Sequence, residues 1–151
     1  MNNINSEIAK QFNMKKTINF NQSVLASLIL IGLLILFHLS IIIGILFFDY
    51  APIDSLWGGR MKTVEQLLNY EIVSLLSTVV FIFLVLIKSK RLNTPKLIGV
   101  ANVAMWVLFV VFSLNTIGNL MAETTFEKFF AIVSGLLAIL LFRIALEKNT
   151  N

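Results

Sequence analysis

Residues 24–48 form a run of 25 residues without a formal charge. No feature limits the possible folds more. A soluble core helix has a polar face, whereas a bilayer span needs about 20 mainly apolar residues. The run is too long for the apolar region of a signal peptide, which takes about 7–15 residues, and no small-x-small cleavage pattern precedes Asp49. It reads as an uncleaved first span. Composition agrees: 58% of the residues are hydrophobic and 13% charged, against about 45–50% apolar and 25% charged in soluble domains.

Three more spans follow, at about 64–87, 97–120 and 126–146. Thr63 and Gln66 fit a capping box opening the second. Thr94 followed by Pro95 fits a helix start for the third, because proline at the first helical position loses no intrahelical bond. Thr124 and Glu127 fit a capping box for the fourth. The connections are short and carry no Gly/Ser/Pro linker, so sequence neighbours pack antiparallel. The expected fold is an all-α membrane protein, four transmembrane helices in an up-down antiparallel bundle over residues 24–146. Residues 1–23 read as an Asn-rich polar tail, largely disordered, and 147–151 as a short C-terminal tail.

Charge sets the expected orientation. With the N-terminus inside, nine Lys and Arg lie on the cytoplasmic side (Lys10, Lys15, Lys16, Lys88, Lys90, Arg91, Lys96, Arg143, Lys148) and three outside (Arg60, Lys62, Lys128). That bias predicts N-in/C-in topology. The net charge of +4 therefore flanks spans; it forms no basic surface for nucleic acid. Most acids fall toward the outside: Asp49, Asp54, Glu65, Glu71, Glu123 and Glu127.

The absence of cysteine excludes disulfides and thiolate chemistry, and one histidine cannot make a multi-His metal site. No cofactor motif appears. The polar residues within the spans remain. Glu71 lies in a stripe with Ser74 and Thr78, and counting back from Ile87 puts it roughly 5 Å below the outer boundary. Asn115 and Asn119 share a face of the third helix, which also carries Ala101, Ala104, Leu108 and Val111. Ala131, Ser134, Gly135, Ala138 and Ala145 make a small-residue stripe on the fourth helix, continued upward by Glu127 and suited to close packing. Arg143 lies off that stripe, where it is expected to snorkel to lipid phosphates. His38 falls near the midplane, with a neutral hydrogen bond to a backbone carbonyl or serine as its expected state. Whether its stripe (Ser27, Ile31, Leu34, Ile45) or that of Ala26, Ser40 and Gly44 faces inward is not decided by periodicity.

The loop Trp57-Gly58-Gly59-Arg60 pairs an interfacial aromatic with two glycines that permit left-handed backbone. It reads as an interfacial anchor and turn, or as a cover over the bundle mouth with Arg60 above Glu71 or Glu127. This loop, with Glu71, Leu114-Asn115-Thr116-Ile117-Gly118-Asn119 and Phe126-Glu127-Lys128, resembles a group of small bacterial membrane proteins of four predicted spans and unassigned function. The resemblance covers roughly residues 24–146. It implies a multi-pass protein of the bacterial inner membrane, implies no reaction, and groups the loop, Glu71, both asparagines and Glu127 as one recurring set.

The expected function is non-catalytic. Arg60, Glu71, Asn115, Asn119 and Glu127, with Trp57, His38 and Ser74 as secondary members, form an outward-facing cluster that binds a small ligand, a lipid headgroup or a partner protein. Expected associations are the lipid bilayer and a membrane protein partner or second copy. The rivals are a transporter or channel subunit acting as an oligomer, and a membrane-embedded acid–base enzyme using Glu71 with Glu127 or His38.

Overall fold

The computed structural model describes residues 18–148. The N-terminal tail up to residue 17 and residues 149–151 lie outside that range. Among the described residues the structure is all-α, with four long helices: α1 (Phe20–Phe48), α2 (Val64–Lys88), α3 (Ile98–Leu120) and α4 (Thr125–Ala145). Each is long and apolar enough to cross a membrane. α1 packs on α2, α2 on α3, α3 on α4 and α4 back on α1, which closes an up-down bundle. The α3–α4 contact is the most extensive and the α2–α3 contact the least. One end of the bundle carries the α1–α2 and α3–α4 connections. The other carries the start of α1, the end of α4 and the α2–α3 connection.

Local chemistry sets the helix ends. Asn19 accepts a hydrogen bond from the Asn21 N–H, so α1 begins at Phe20, four residues before the apolar run. It stops at Asp49, whose left-handed backbone turns the chain back over Gly44. A Cβ on Gly44 would sit 3.3 Å from the Tyr50 ring, so only the bare backbone admits the crossing chain easily.

Thr63 caps α2 through the Gln66 N–H, but the Gln66 side chain reaches back to the Lys62 N–H, one residue before the cap. α3 starts differently from its sequence signal. Pro95–Leu97 forms a 3-10 turn ahead of it, and the buried Thr94 hydroxyl caps nothing.

Two apolar plugs fill the bundle. The larger occupies the half nearer the termini and includes Val24, Ile31, Val85, Met105, Phe112, Leu137, Leu141 and Ile144. The smaller lies under the α1–α2 loop, where Leu56 packs with Ile41 and Leu67. The α1 stripe of Ser27 and Ile31 is buried while Ser40 is exposed, so His38 is on the inward side. On α4 the stripe of Glu127, Ala131, Ser134 and Ala138 is buried, and Gly135 faces the Thr116 methyl of α3.

The end nearer the termini is pinned by charge. Arg143 is 4% exposed and does not snorkel. Its Nε donates to the Ile18 carbonyl (2.8 Å) and its Nη1 to Glu147 (2.9 Å), with the Phe20 ring 6.0 Å below. Lys88 Nζ donates to Asn102 Oδ1 (2.8 Å) and to the Glu147 carbonyl (2.6 Å). Each donor finds an acceptor within the protein, which removes the reason for these long side chains to seek lipid phosphate. Glu147 is tied into the bundle from two sides instead of lying in a free tail.

Candidate functional site

Between the two plugs lies a polar layer built around Glu71. Its carboxylate is 1% exposed. Oε2 is 2.7 Å from His38 Nδ1, and Oε1 accepts a 2.9 Å hydrogen bond from Trp57 Nε1. A buried carboxylate requires such partners, because leaving water without them costs several kcal/mol. His38 is ten residues before the end of α1 and Glu71 seven after the start of α2. At 1.5 Å per residue the pair sits about 10–15 Å below those helix ends. His38 therefore bonds a carboxylate, in place of the expected carbonyl or serine.

Trp57 reaches Glu71 through an uncommon backbone. Trp57, Gly58 and Gly59 have φ of 54°, 70° and 63°, three left-handed residues in succession. The glycines adopt this freely, but a bulky aromatic does not. The surroundings hold Trp57 there. Leu56 is anchored in the loop-side plug, the indole donates to Glu71, and its ring meets Tyr70 edge-on at 5.3 Å. The Gly58 N–H donates to Glu127 Oε1.

Glu127 thus has two tasks. Its own N–H bonds the Thr124 hydroxyl, which caps α4, while its Oε2 accepts from that hydroxyl at 2.9 Å. Its other oxygen holds the loop. The two buried carboxylates fasten one short turn over the bundle.

Beneath this turn is a cavity of ≈ 310 Å³. α1 contributes Leu34, Phe37 and His38; α2 contributes Glu71, Ser74, Ser77 and Thr78; α3 contributes Val111, Asn115 and Asn119; α4 contributes Phe126, Glu127, Phe130 and Ser134. Phe37, Phe126 and Phe130 form an aromatic wall with centroid separations of 4.9–6.0 Å. Phe81 and Phe112 meet edge-on at 6.0 Å and close the floor against the main core. The cavity reaches the α2–α3 seam, where the lining residues Val73, Val111 and Asn115 are exposed.

Of the residues singled out in the sequence, Glu71, Asn115, Asn119, Glu127, Trp57, His38 and Ser74 all line this cavity. The Asn115 and Asn119 side chains make no hydrogen bond among the described residues. Arg60 stands apart. It is exposed, lines no part of the cavity and forms no ion pair among the described residues. The groups over Glu71 and Glu127 are the Trp57 indole and the Gly58 amide, because the left-handed turn directs Trp57 inward ahead of Arg60. The structure joins His38 directly to Glu71, a pairing that the sequence offered only within the acid–base enzyme reading.

No group of three or more His, Asp or Glu able to hold a metal occurs among the described residues. No protein-family model, no curated protein and no solved structure matches this chain. What it shares with a multi-pass membrane protein is its four helices, each of spanning length and composition.

Proposed function

We propose that this chain is a non-catalytic, multi-pass protein of the bacterial inner membrane whose lidded cavity binds a small ligand, with both termini in the cytoplasm and the Trp57–Gly59 turn as lid. The observation that carries this reading is the Glu71 carboxylate: buried, held by two ring nitrogens, and lining a cavity that Asn115 and Asn119 also line with unbonded amides. Interhelical polar contacts that serve stability alone saturate each other. Here hydrogen-bonding capacity is left over along a cavity that opens at the α2–α3 seam, as in a binding pocket with a few placed polar groups in an apolar wall.

The rival readings have less support. A transport path would continue past Thr78, where Phe81, Phe112 and Val133 instead line the cavity. An acid–base enzyme would use the His38–Glu71 pair, yet no side-chain hydroxyl hydrogen-bonds His38 among the described residues, and Thr78 donates to the Ser74 carbonyl of its own helix. An activated nucleophile needs such a base within reach.

The chain has no cysteine, so a single Ser77→Cys substitution makes a clean reporter. In native membranes, thiol labelling of this variant is expected to be slow, to rise after purification and lipid exchange, and to fall again when total lipid extract is restored. Labelling that is identical in all three states would count against an occupied cavity.

A further inference from the structure

We infer that the occupant is a lipid-like amine, with its ammonium head beside Glu71 and its tail along the α2–α3 seam. This rests on reading the cavity as a binding site and assigns the chemistry of what fills it.

Charge gives the head group. The ionisable lining consists of Glu71, Glu127 and one imidazole, with no lysine or arginine. Lys128, next to Glu127 in sequence, and Arg60, three residues after Trp57, are both exposed and do not line the cavity. Lys88 and Arg143 are engaged at the other end of the bundle. A cation complements this lining and an anion opposes it. The rings of Phe37, Phe126 and Phe130 offer faces of the kind that attract an ammonium group. Asn115 and Asn119 supply carbonyl oxygens able to accept its N–H groups.

Continuity gives the tail. A second groove of ≈ 570 Å³ lies on the same seam, lined entirely by apolar residues, among them Leu84, Gly99, Val103 and Val107. Phe81 borders both spaces. On α3 the path winds round the helix in four-residue steps that each turn it by about 40°: Val103, Val107, Val111, Asn115, Asn119. It changes from apolar to amide within the cavity, between Val111 and Asn115. The groove follows α3 from Gly99 to Leu108, about 13 Å of helix rise. A molecule that is polar at one end and apolar along the rest matches this track, and α2–α3, the loosest helix contact, leaves it accessible from the bilayer. The tail is already in an apolar medium before it binds, so the groove acts by fit and direction and not by hydrophobic transfer.

The test uses the full chain in phosphatidylcholine nanodiscs on a Trp106→Phe background, leaving Trp57 as the fluorescent reporter. Dodecylammonium is expected to change Trp57 emission saturably, whereas dodecanol and dodecyl sulfate leave it unchanged. Glu71→Gln and, as a variant at an exposed position, Asn115→Ala should each weaken dodecylammonium binding, the first by about tenfold or more. Gly99→Leu places its side chain in open space within the groove. It should weaken dodecylammonium binding and leave butylammonium binding unchanged.

If Gly99→Leu has no effect and butylammonium binds as well as dodecylammonium, the tail assignment is overturned while the cavity remains a binding site. Equal binding of dodecyl sulfate or dodecanol overturns the ammonium head in the same limited way. Efficient disulfide cross-linking of Val103→Cys between chains would show a second copy on the seam, which also overturns the tail. No response to any probe, together with unprotected Ser77→Cys, overturns both readings.

Discussion

Replacing Glu71 by alanine should open the lid before it unfolds the bundle. The substitution removes the acceptor for Trp57 Nε1 and the partner of His38 Nδ1. A hydrogen bond to a charged group contributes about 1.5–3 kcal/mol. Assigning one such bond to the lid, its opening equilibrium rises by about 10- to 150-fold, since 1.4 kcal/mol is a factor of ten. Trp57 adds to this, because its left-handed backbone is held against a cost of about 1–2 kcal/mol and relaxes once the indole is released. The α3–α4 contact at the far end is untouched. Hydrogen exchange in nanodiscs reads both regions. The Gly59 N–H bonds the Leu56 carbonyl at 3.0 Å and the Gly58 N–H bonds Glu127, so a peptide over residues 55–62 reports lid opening. It should exchange at least about tenfold faster in Glu71→Ala, while a peptide over 134–144 keeps its rate. Glu71→Gln retains one carbonyl acceptor and should fall between. Unchanged exchange over 55–62, or an equal rise over 134–144, would refute the assignment of Glu71 as the lid's anchor.

Other consequences are equally open to measurement. Gly59→Ala should speed exchange over 55–62, because a Cβ there lies 3.2 Å from the Asp54 carbonyl oxygen at φ +63°; Gly58→Asn should be tolerated, since Asn adopts left-handed backbone and nothing but the flexible Arg60 side chain lies near. Lys88→Met removes the bonds to Asn102 and the Glu147 carbonyl. Loss of a buried charge offsets part of that, so global stability should fall by no more than about 1–3 kcal/mol, while carboxypeptidase trimming beyond Ile144 should accelerate. For topology, a membrane-impermeant maleimide should label Asp54→Cys in intact cells and Leu92→Cys only after lysis; the reverse pattern would invert the proposed orientation.

The helices were legible because runs without charge and flanking cap residues leave few alternatives for Phe20–Phe48 and its three successors. Their faces were harder to read. Where lipid is as apolar as the core, no polar side marks the outside, and both stripes of α1 read alike. Pairing across helices was harder still. His38 and Glu71 are 33 residues apart on different helices, and only packing shows that they meet. The inward turn of Trp57 was not legible, because left-handed backbone on a tryptophan runs against its local preference and depends on Leu56, Glu71 and Tyr70 acting together. Arg143 shows the same limit: the Ile18 carbonyl that holds it is 125 residues away in sequence.

Native mass spectrometry of protein released from its own membrane tests the central claim most directly. The account predicts that wild-type chain retains a single lipid-like adduct that survives activation sufficient to strip bulk lipid, and that Glu71→Gln loses it while remaining folded. Wild type and Glu71→Gln carrying the same lipids in the same amounts would contradict the claim that the space beneath Trp57 is a binding site.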